Sequence, residues 1–267
     1  MNYQRTNPGV QLNDNLPSRE NLENEYKNDL VAFGKHPVVC APIINFDTET
    51  KKRISQESSG IQLVEIRADH LISKGLKPEN CMEYMRQQKI PFIFTMRSHL
   101  EGGRVEMSSV ERLDIIEKSL SMGPACIDLE LSTIADKKTM SEKLIAEARK
   151  LNICVIASYH DFESTPDEEQ LKEIAREEAS TGADLLKIAT YVRDEKDILT
   201  LLRMTSEIRK KLGKPMAVMG MGDLGRITRI AAVGFGSDLV FADLFGASAS
   251  GQIPYWKARE MIQLLYY

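Results

Sequence analysis

The chain has 267 residues, of which 42% are hydrophobic and 28% charged, and a net charge of −4. That balance excludes a wholly disordered chain, and a mildly acidic protein lacks the basic face a nucleic-acid footprint needs. At about 150 residues per domain two domains would fit, and one α/β barrel of roughly 250 residues fits equally well.

Residues 1–36 read as a polar tail with a short helical or hairpin element at its end. Pro8, Gly9 and Pro17 break any periodicity there, and Met1–Asp14 is expected to be mobile. Met1–Ser18 has no signal-peptide core. No apolar run approaches the ~20 residues of a membrane-crossing helix, so no membrane is expected and the cytoplasm is the expected compartment. From Pro37 to the C-terminus, short apolar runs alternate with amphipathic ones. The strand-length runs are Val38–Ile44, Gln62–Ala68, Pro91–Met96, Ala125–Leu131, Ile153–Ser158, Asp184–Thr190, Met216–Met221 and Asp238–Leu244. Helical spacing is clear over Val110–Ser121, Lys138–Leu151, Asp167–Ser180 and Glu195–Leu212, with Gly182 and Gly213 just past helix ends. This βα rhythm calls for parallel strands with helices outside. Eight units over 37–267 favour a single-domain (β/α)₈ TIM barrel, with an open sheet as the alternative.

Cys40, Cys81, Cys126 and Cys154 could pair arithmetically, but three of them sit inside apolar runs, so buried reduced thiols are expected. No Cys-x-x-Cys pair or clustered histidines suggest a metal site.

Barrel enzymes carry their chemistry at the C-terminal strand ends, and strand side chains alternate with period two. Glu65, Arg67 and Asp69 then share one face, as do Thr95 and Arg97, and Asp128 and Glu130. A buried salt-bridge layer accounts for these carboxylates and arginines as well as a binding site does. His160 ends its strand, where a lone histidine is more often structural than catalytic. Lys187 lies mid-strand between Leu186 and Ile188, a costly place for an ammonium. Desolvation there favours the neutral amine, the form that makes Schiff bases, and pairing with a carboxylate is the plainer alternative.

Gly220, Gly222 and Gly225 match G-x-G-x-x-G after a strand, which leaves a nucleotide-binding protein as a weak alternative of a different class. The match sits in the seventh unit, and dinucleotide folds place it in the first. Residues 241–254 combine Gly246 and Gly251 with Ser248 and Gln252, a composition that suits either a lid over a polar substrate or a plain surface loop.

Together these motifs resemble the type I 3-dehydroquinate dehydratases from about Pro37 to the C-terminus. The resemblance rests on Val64–Asp69, Phe94–Ser98 with Glu101–Gly103, Ile127–Leu131, Ser158–Phe162, Lys187–Ala189, Gly225–Arg229 and Ala247–Gln252. It implies a barrel, commonly a homodimer, that converts 3-dehydroquinate to 3-dehydroshikimate in the shikimate pathway with no metal or nucleotide cofactor. It assigns Lys187 as the imine-forming nucleophile, His160 as general acid and base, and Glu101 as the partner of His160. Arg229 would take the substrate carboxylate, and Glu65, Arg67 and Arg97 the ring hydroxyls. Ser248 and Gln252 would close the lid, with Phe162, Met221 and Phe241 as apolar walls. Another Schiff-base lyase of the class I aldolase type would use the same lysine. Two departures stand out: Ser250 replaces a usual proline, which is expected to loosen the lid, and Thr228 replaces a usual serine. For an anionic substrate, Lys187, Arg67, Arg97 and Arg229 are expected to form a locally positive mouth.

Overall fold

The computed structural model describes residues 33–267; the tail expected over Met1–Asp14 and the element after it lie outside these residues. Eight parallel strands run β1 Val38–Ile43, β2 Leu63–Arg67, β3 Phe92–Thr95, β4 Cys126–Glu130, β5 Cys154–Asp161, β6 Leu185–Tyr191, β7 Met216–Met221 and β8 Leu239–Phe241. Each pairs with its sequence neighbour from β1 to β7, and β8 pairs with β1. The remaining seam, between β7 and β8, is drawn together by Asp238 and Ser237. The Asp238 amide donates to the Met216 carbonyl, its carboxylate accepts from the Met216 amide, and Ser237 Oγ accepts from the Val218 amide. The result, over the described residues, is a (β/α)₈ barrel.

The helices are α1 Thr48–Glu57, α2 Ala68–Ser73, α3 Pro78–Gln88, α4 Ser109–Ser119, α5 Leu131–Asp136, α6 Lys138–Lys150, α7 Glu168–Ser180, α8 Glu195–Leu212, α9 Gly222–Gly225, α10 Thr228–Ala231 and α11 Tyr255–Tyr266. Their starts follow from local chemistry. Ser108 with Glu111 opens α4, and Asp167 with Gln170 opens α7, each pair exchanging side-chain and backbone hydrogen bonds across the first turn. α8 ends at Gly213, where φ is +65°, a conformation a Cβ disfavours. The inner faces of α7 and α8 bury Leu171, Ala175, Leu201, Met204 and Ile208 against the outer faces of β6 and β7.

Inside the barrel the lower half is apolar. Val38, Cys40, Leu63, Ile93, Cys126, Ile156, Leu185 and Leu239 form one cluster. All four cysteines are free: of the three in apolar runs, Cys40 and Cys126 are buried as expected and Cys154, at the edge of the floor, is only half-buried, while Cys81, outside such a run, is buried. Three other expectations need correction. β5 extends to Asp161 because Tyr159–Asp161 stays paired with Ile188–Thr190. β8 stops at Phe241, since the Asp243 backbone bonds instead to the returning segment at Ile253 and Tyr255. β2 ends at Arg67, so Asp69 lies in α2 and reaches back to Arg67 through two hydrogen bonds of 2.9 Å.

Candidate active site

The upper half of the barrel interior is charged. Glu65 and Arg67 rise from β2, Asp128 and Glu130 from β4, His160 from β5 and Lys187 from β6, while Arg97 follows β3 directly. Glu65, Arg67, Arg97, His160 and Lys187, with Glu101, Phe162, Met221, Arg229, Phe241, Ser248 and Gln252, line a cavity at the carboxyl ends of the strands, so the structure brings the candidate site residues together. Gly102, Ala189, Met219 and Ala249 complete the lining, and Asp128 and Glu130 are not part of it.

Lys187 is 4% exposed, with Nζ 2.8 Å from Asp128 Oδ2, 3.5 Å from Glu65 Oε1 and 4.3 Å above the Phe241 ring. Asp128 Oδ1 accepts from Arg97 (2.8 Å) and from Ser158 Oγ (2.6 Å). Burial would raise the Asp128 carboxyl, but the flanking Arg97 and Lys187 hold it well below the usual carboxylate range. The same ion-pair layer continues outward, with Glu130 between Arg97 and Arg112. Glu65, Arg97 and Lys187 belong both to this salt-bridge layer and to the cavity lining, whereas Asp128, Glu130 and Arg112 belong to the layer alone. Thr95 donates to Glu65 Oε1 at 2.9 Å and fixes that carboxylate beside the lysine.

His160 Nδ1 lies 2.9 Å from Glu101 Oε2. Burial, reinforced by the charges of Arg97 and Lys187, pushes the imidazole well below its ordinary pKa and keeps it neutral. Burial and the nearby Glu130 carboxylate push Glu101 up to about 7. The Glu101 turn is specific: Gly102 adopts φ +84°, and a Cβ there would meet the Phe162 ring at 2.5 Å. Phe162 stacks on His160 at 6.3 Å and guards the outer side of the imidazole.

Arg229, on α10, is 2% exposed and differs from the other cations of the cavity. Arg67 pairs with Asp69, Arg97 with Asp128 and Glu130, and Lys187 with Asp128 and Glu65. Arg229 donates only to the neutral Phe241 carbonyl, Ser250 carbonyl and Met219 sulfur, and its buried Nε has no partner among the described residues. Burial, with a contribution from Arg226, lowers it to about 10, which leaves it cationic at neutral pH. The positive mouth expected from four cations is thus mostly cancelled by carboxylates and concentrated at Arg229. A buried guanidinium with no counter-ion among the described residues has the charge and geometry to accept a carboxylate.

The glycines of 220–225 do other work than cradling phosphates. The Gly220 amide donates to Thr228 Oγ1 at 2.7 Å and the Gly222 amide to Ser250 Oγ at 3.0 Å. A Cβ on Gly225 would meet the Gly220 carbonyl carbon at 2.5 Å, so the turn is closely packed and its amides are engaged. The sequence assigns no role to Ser132, which donates to Glu101 Oε1, or to Ser158, which donates to Asp128. Nothing in its spacing marks Ser132, whereas period two puts Ser158 on the face of β5 that carries His160. Asp128 was visible from its alternation on β4, but its pairing with Lys187 requires the barrel. Among the described residues no three His, Cys, Asp or Glu side chains are grouped to hold a metal ion, and no helix is long and apolar enough to cross a membrane.

Residues 39–267 match the family model described as type I 3-dehydroquinase. The chain belongs to that family. A 3-dehydroquinate dehydratase of Aromatoleum aromaticum is 36% identical over 251 residues, covering 90% of this chain and 95% of that protein. The crystal structure of the 3-dehydroquinate dehydratase of Geobacillus kaustophilus superposes with a TM-score of 0.76 at 30% identity, covering 87% of this chain and 92% of that one. The type I enzyme of Clostridium difficile, solved with covalently modified comenic acid, gives a TM-score of 0.78 at 29% identity, covering 90% of this chain and 95% of that one.

Proposed function

We propose that this chain removes water from 3-dehydroquinate to give 3-dehydroshikimate, a syn elimination run through an imine on Lys187. The observation that carries this reading is a buried lysine and a neutral histidine in one cavity with an arginine that lacks a counter-ion. The names of the relatives support the substrate, and a carboxylated ring with a ketone suits this set of groups.

Arg229 binds the substrate carboxylate in this scheme, with the unpartnered Nε as a donor. Glu65, Arg67 and Arg97 recognise the ring hydroxyls, and Met221, Phe162 and Phe241 exclude water from the ring. After Lys187 Nζ gives up a proton to solvent, its amine adds to the ring ketone; loss of water leaves a protonated imine, an electron sink for the neighbouring carbon. His160, with Nδ1 turned to Glu101, takes the proton from that carbon. The resulting enamine expels the β-hydroxyl group, to which His160 returns the proton as water departs. Hydrolysis of the product imine frees Lys187. Imine formation releases one water and imine hydrolysis consumes one, so the net change is the water lost from the substrate.

The reading extends to a role in the shikimate pathway, in the cytoplasm, where four free thiols suit a reducing compartment. It also extends to a homodimer, for which Met261, Leu264 and Leu265, exposed along α11, offer an apolar face. Residues 1–36 would then be an appendage to the catalytic domain of 37–267. The test is direct. Addition of 3-dehydroquinate to the protein is expected to give a rising ultraviolet absorbance from the conjugated product, and a flat trace would overturn the activity.

A further inference from the structure

The lid, residues 246–252, is attached to the rest of the barrel unevenly. Its base is tied by the Gly246 amide to Asp243 Oδ1 at 2.8 Å, and by the Asp243 amide to the Ile253 carbonyl. The groups expected to face substrate are bonded to one another, with Gln252 Nε2 donating to Ser248 Oγ and Gln252 Oε1 accepting from the Ser248 amide. Those bonds are internal to the lid and hold it to nothing else. What fastens its far end is Ser250.

Ser250 makes two contacts to two different parts of the site. Its hydroxyl accepts from the Gly222 amide at 3.0 Å, at the start of the turn after β7. Its carbonyl accepts from Arg229 Nη2 at 3.2 Å. The next residue, Gly251, lies so close to the same turn that a Cβ would meet the Gly222 carbonyl oxygen at 2.5 Å. The lid tip therefore rests on Gly222, and Ser250 carries its hydrogen bonds there. The sequence alone suggests that a serine at 250 loosens the lid; these contacts say the opposite.

We infer that Ser250 is a positioning residue that latches the lid to the Gly222 turn and orients Arg229 for a carboxylate. One guanidinium holds the lid through Nη2 and keeps Nε free, so a carboxylate bound at Nε and a seated lid fix the same guanidinium pose. Each then favours the other, and a carboxylate ligand is retained better when the latch is closed. Removal of the Ser250 hydroxyl leaves the carbonyl in place but lets the tip lift, which weakens retention of substrate more than the steps at Lys187. This inference rests on the proposed dehydratase reading for its ligand, whereas the latch itself does not.

The test compares the full-length protein with Ser250→Ala and Ser250→Thr, by steady-state kinetics on 3-dehydroquinate and by hydrogen exchange at the Gly222 amide. For Ser250→Ala the account expects KM to rise about threefold to tenfold, the range set by one net hydrogen bond of ordinary strength. The loss should fall in KM more than in kcat, with faster exchange at Gly222. Ser250→Thr, which keeps the hydroxyl, should restore both. Unchanged Gly222 exchange in Ser250→Ala overturns the latch. Faster exchange with KM unchanged overturns its coupling to Arg229. A wild-type protein with no turnover contradicts the dehydratase reading instead, and the exchange measurement still decides whether the latch exists.

Discussion

Along β4 the inward side chains run Cys126, Asp128, Glu130, and along β6 they run Leu185, Lys187, Ala189. The same strands thus line an apolar floor and, one inward position higher, a buried ion-pair layer. The floor is packed from Val38, Cys40, Leu63, Ile93 and Ile156, all nearly inaccessible. The upper layer holds Glu65, Arg67, Arg97, Asp128 and Lys187 at comparable burial. Buried ion pairs rarely stabilise a fold better than apolar side chains of similar volume. The floor therefore accounts for stability, and on the proposed dehydratase reading the upper layer is the part whose charges are kept for chemistry.

Substitutions at the two levels should separate along that line. His160→Ala should lower kcat by about 10²- to 10⁴-fold, the usual contribution of a general acid or base, with little loss of stability. Ile93→Ala on the floor should do the reverse. Deletion of buried methylenes costs about 2–5 kcal/mol, measured as a lower denaturation midpoint, while kcat per folded molecule stays near the wild-type value. A large kcat loss there would break the distinction between floor and site. Arg229→Ala, in the cavity wall, should raise KM by about 10- to 100-fold through loss of a charge-assisted carboxylate contact, checked by substrate saturation.

A smaller effect comes from the Glu101–His160 pair. Burial pushes Glu101 up to about 7, so as pH falls through that value the carboxylate gains a proton and ceases to support the imidazole as a base. The pH profile of kcat/KM should therefore decline below about pH 7. Glu101→Gln should lower the plateau and flatten that limb; an unaltered acid limb in this variant would assign it to another group. The acid pKa is raised on folding, so its neutral form is favoured in the folded state. Its contribution to stability is complete below the unfolded carboxyl value and is lost as pH rises toward about 7.

The strand order and the inward alternation were readable from apolar runs because each strand is short and bounded by charged helices. Glu65, Asp128 and Lys187 could each be placed on the inner face of its own strand by period two. Which of them meet could not, since the barrel's stagger sets Lys187 opposite Ser158 and Ala217 in the ladders while its side chain reaches Asp128. Asp69 was misplaced for a local reason: α2 starts at Ala68, and the backbone turns before the alternation reaches it. The role of Ser132 depends on α5 returning toward the Glu101 turn. Ser250 shows the limit most clearly, because its hydroxyl finds a backbone amide from a different βα unit.

The central claim is that Lys187 forms a covalent imine with the substrate. Borohydride reduction in the presence of 3-dehydroquinate, followed by peptide mass spectrometry, tests it most directly. The account predicts a reduced adduct on the peptide that carries Lys187, still formed in His160→Ala and absent in Lys187→Ala, which should also lose turnover. An active enzyme that yields no adduct, or one whose adduct maps to another lysine, would contradict it.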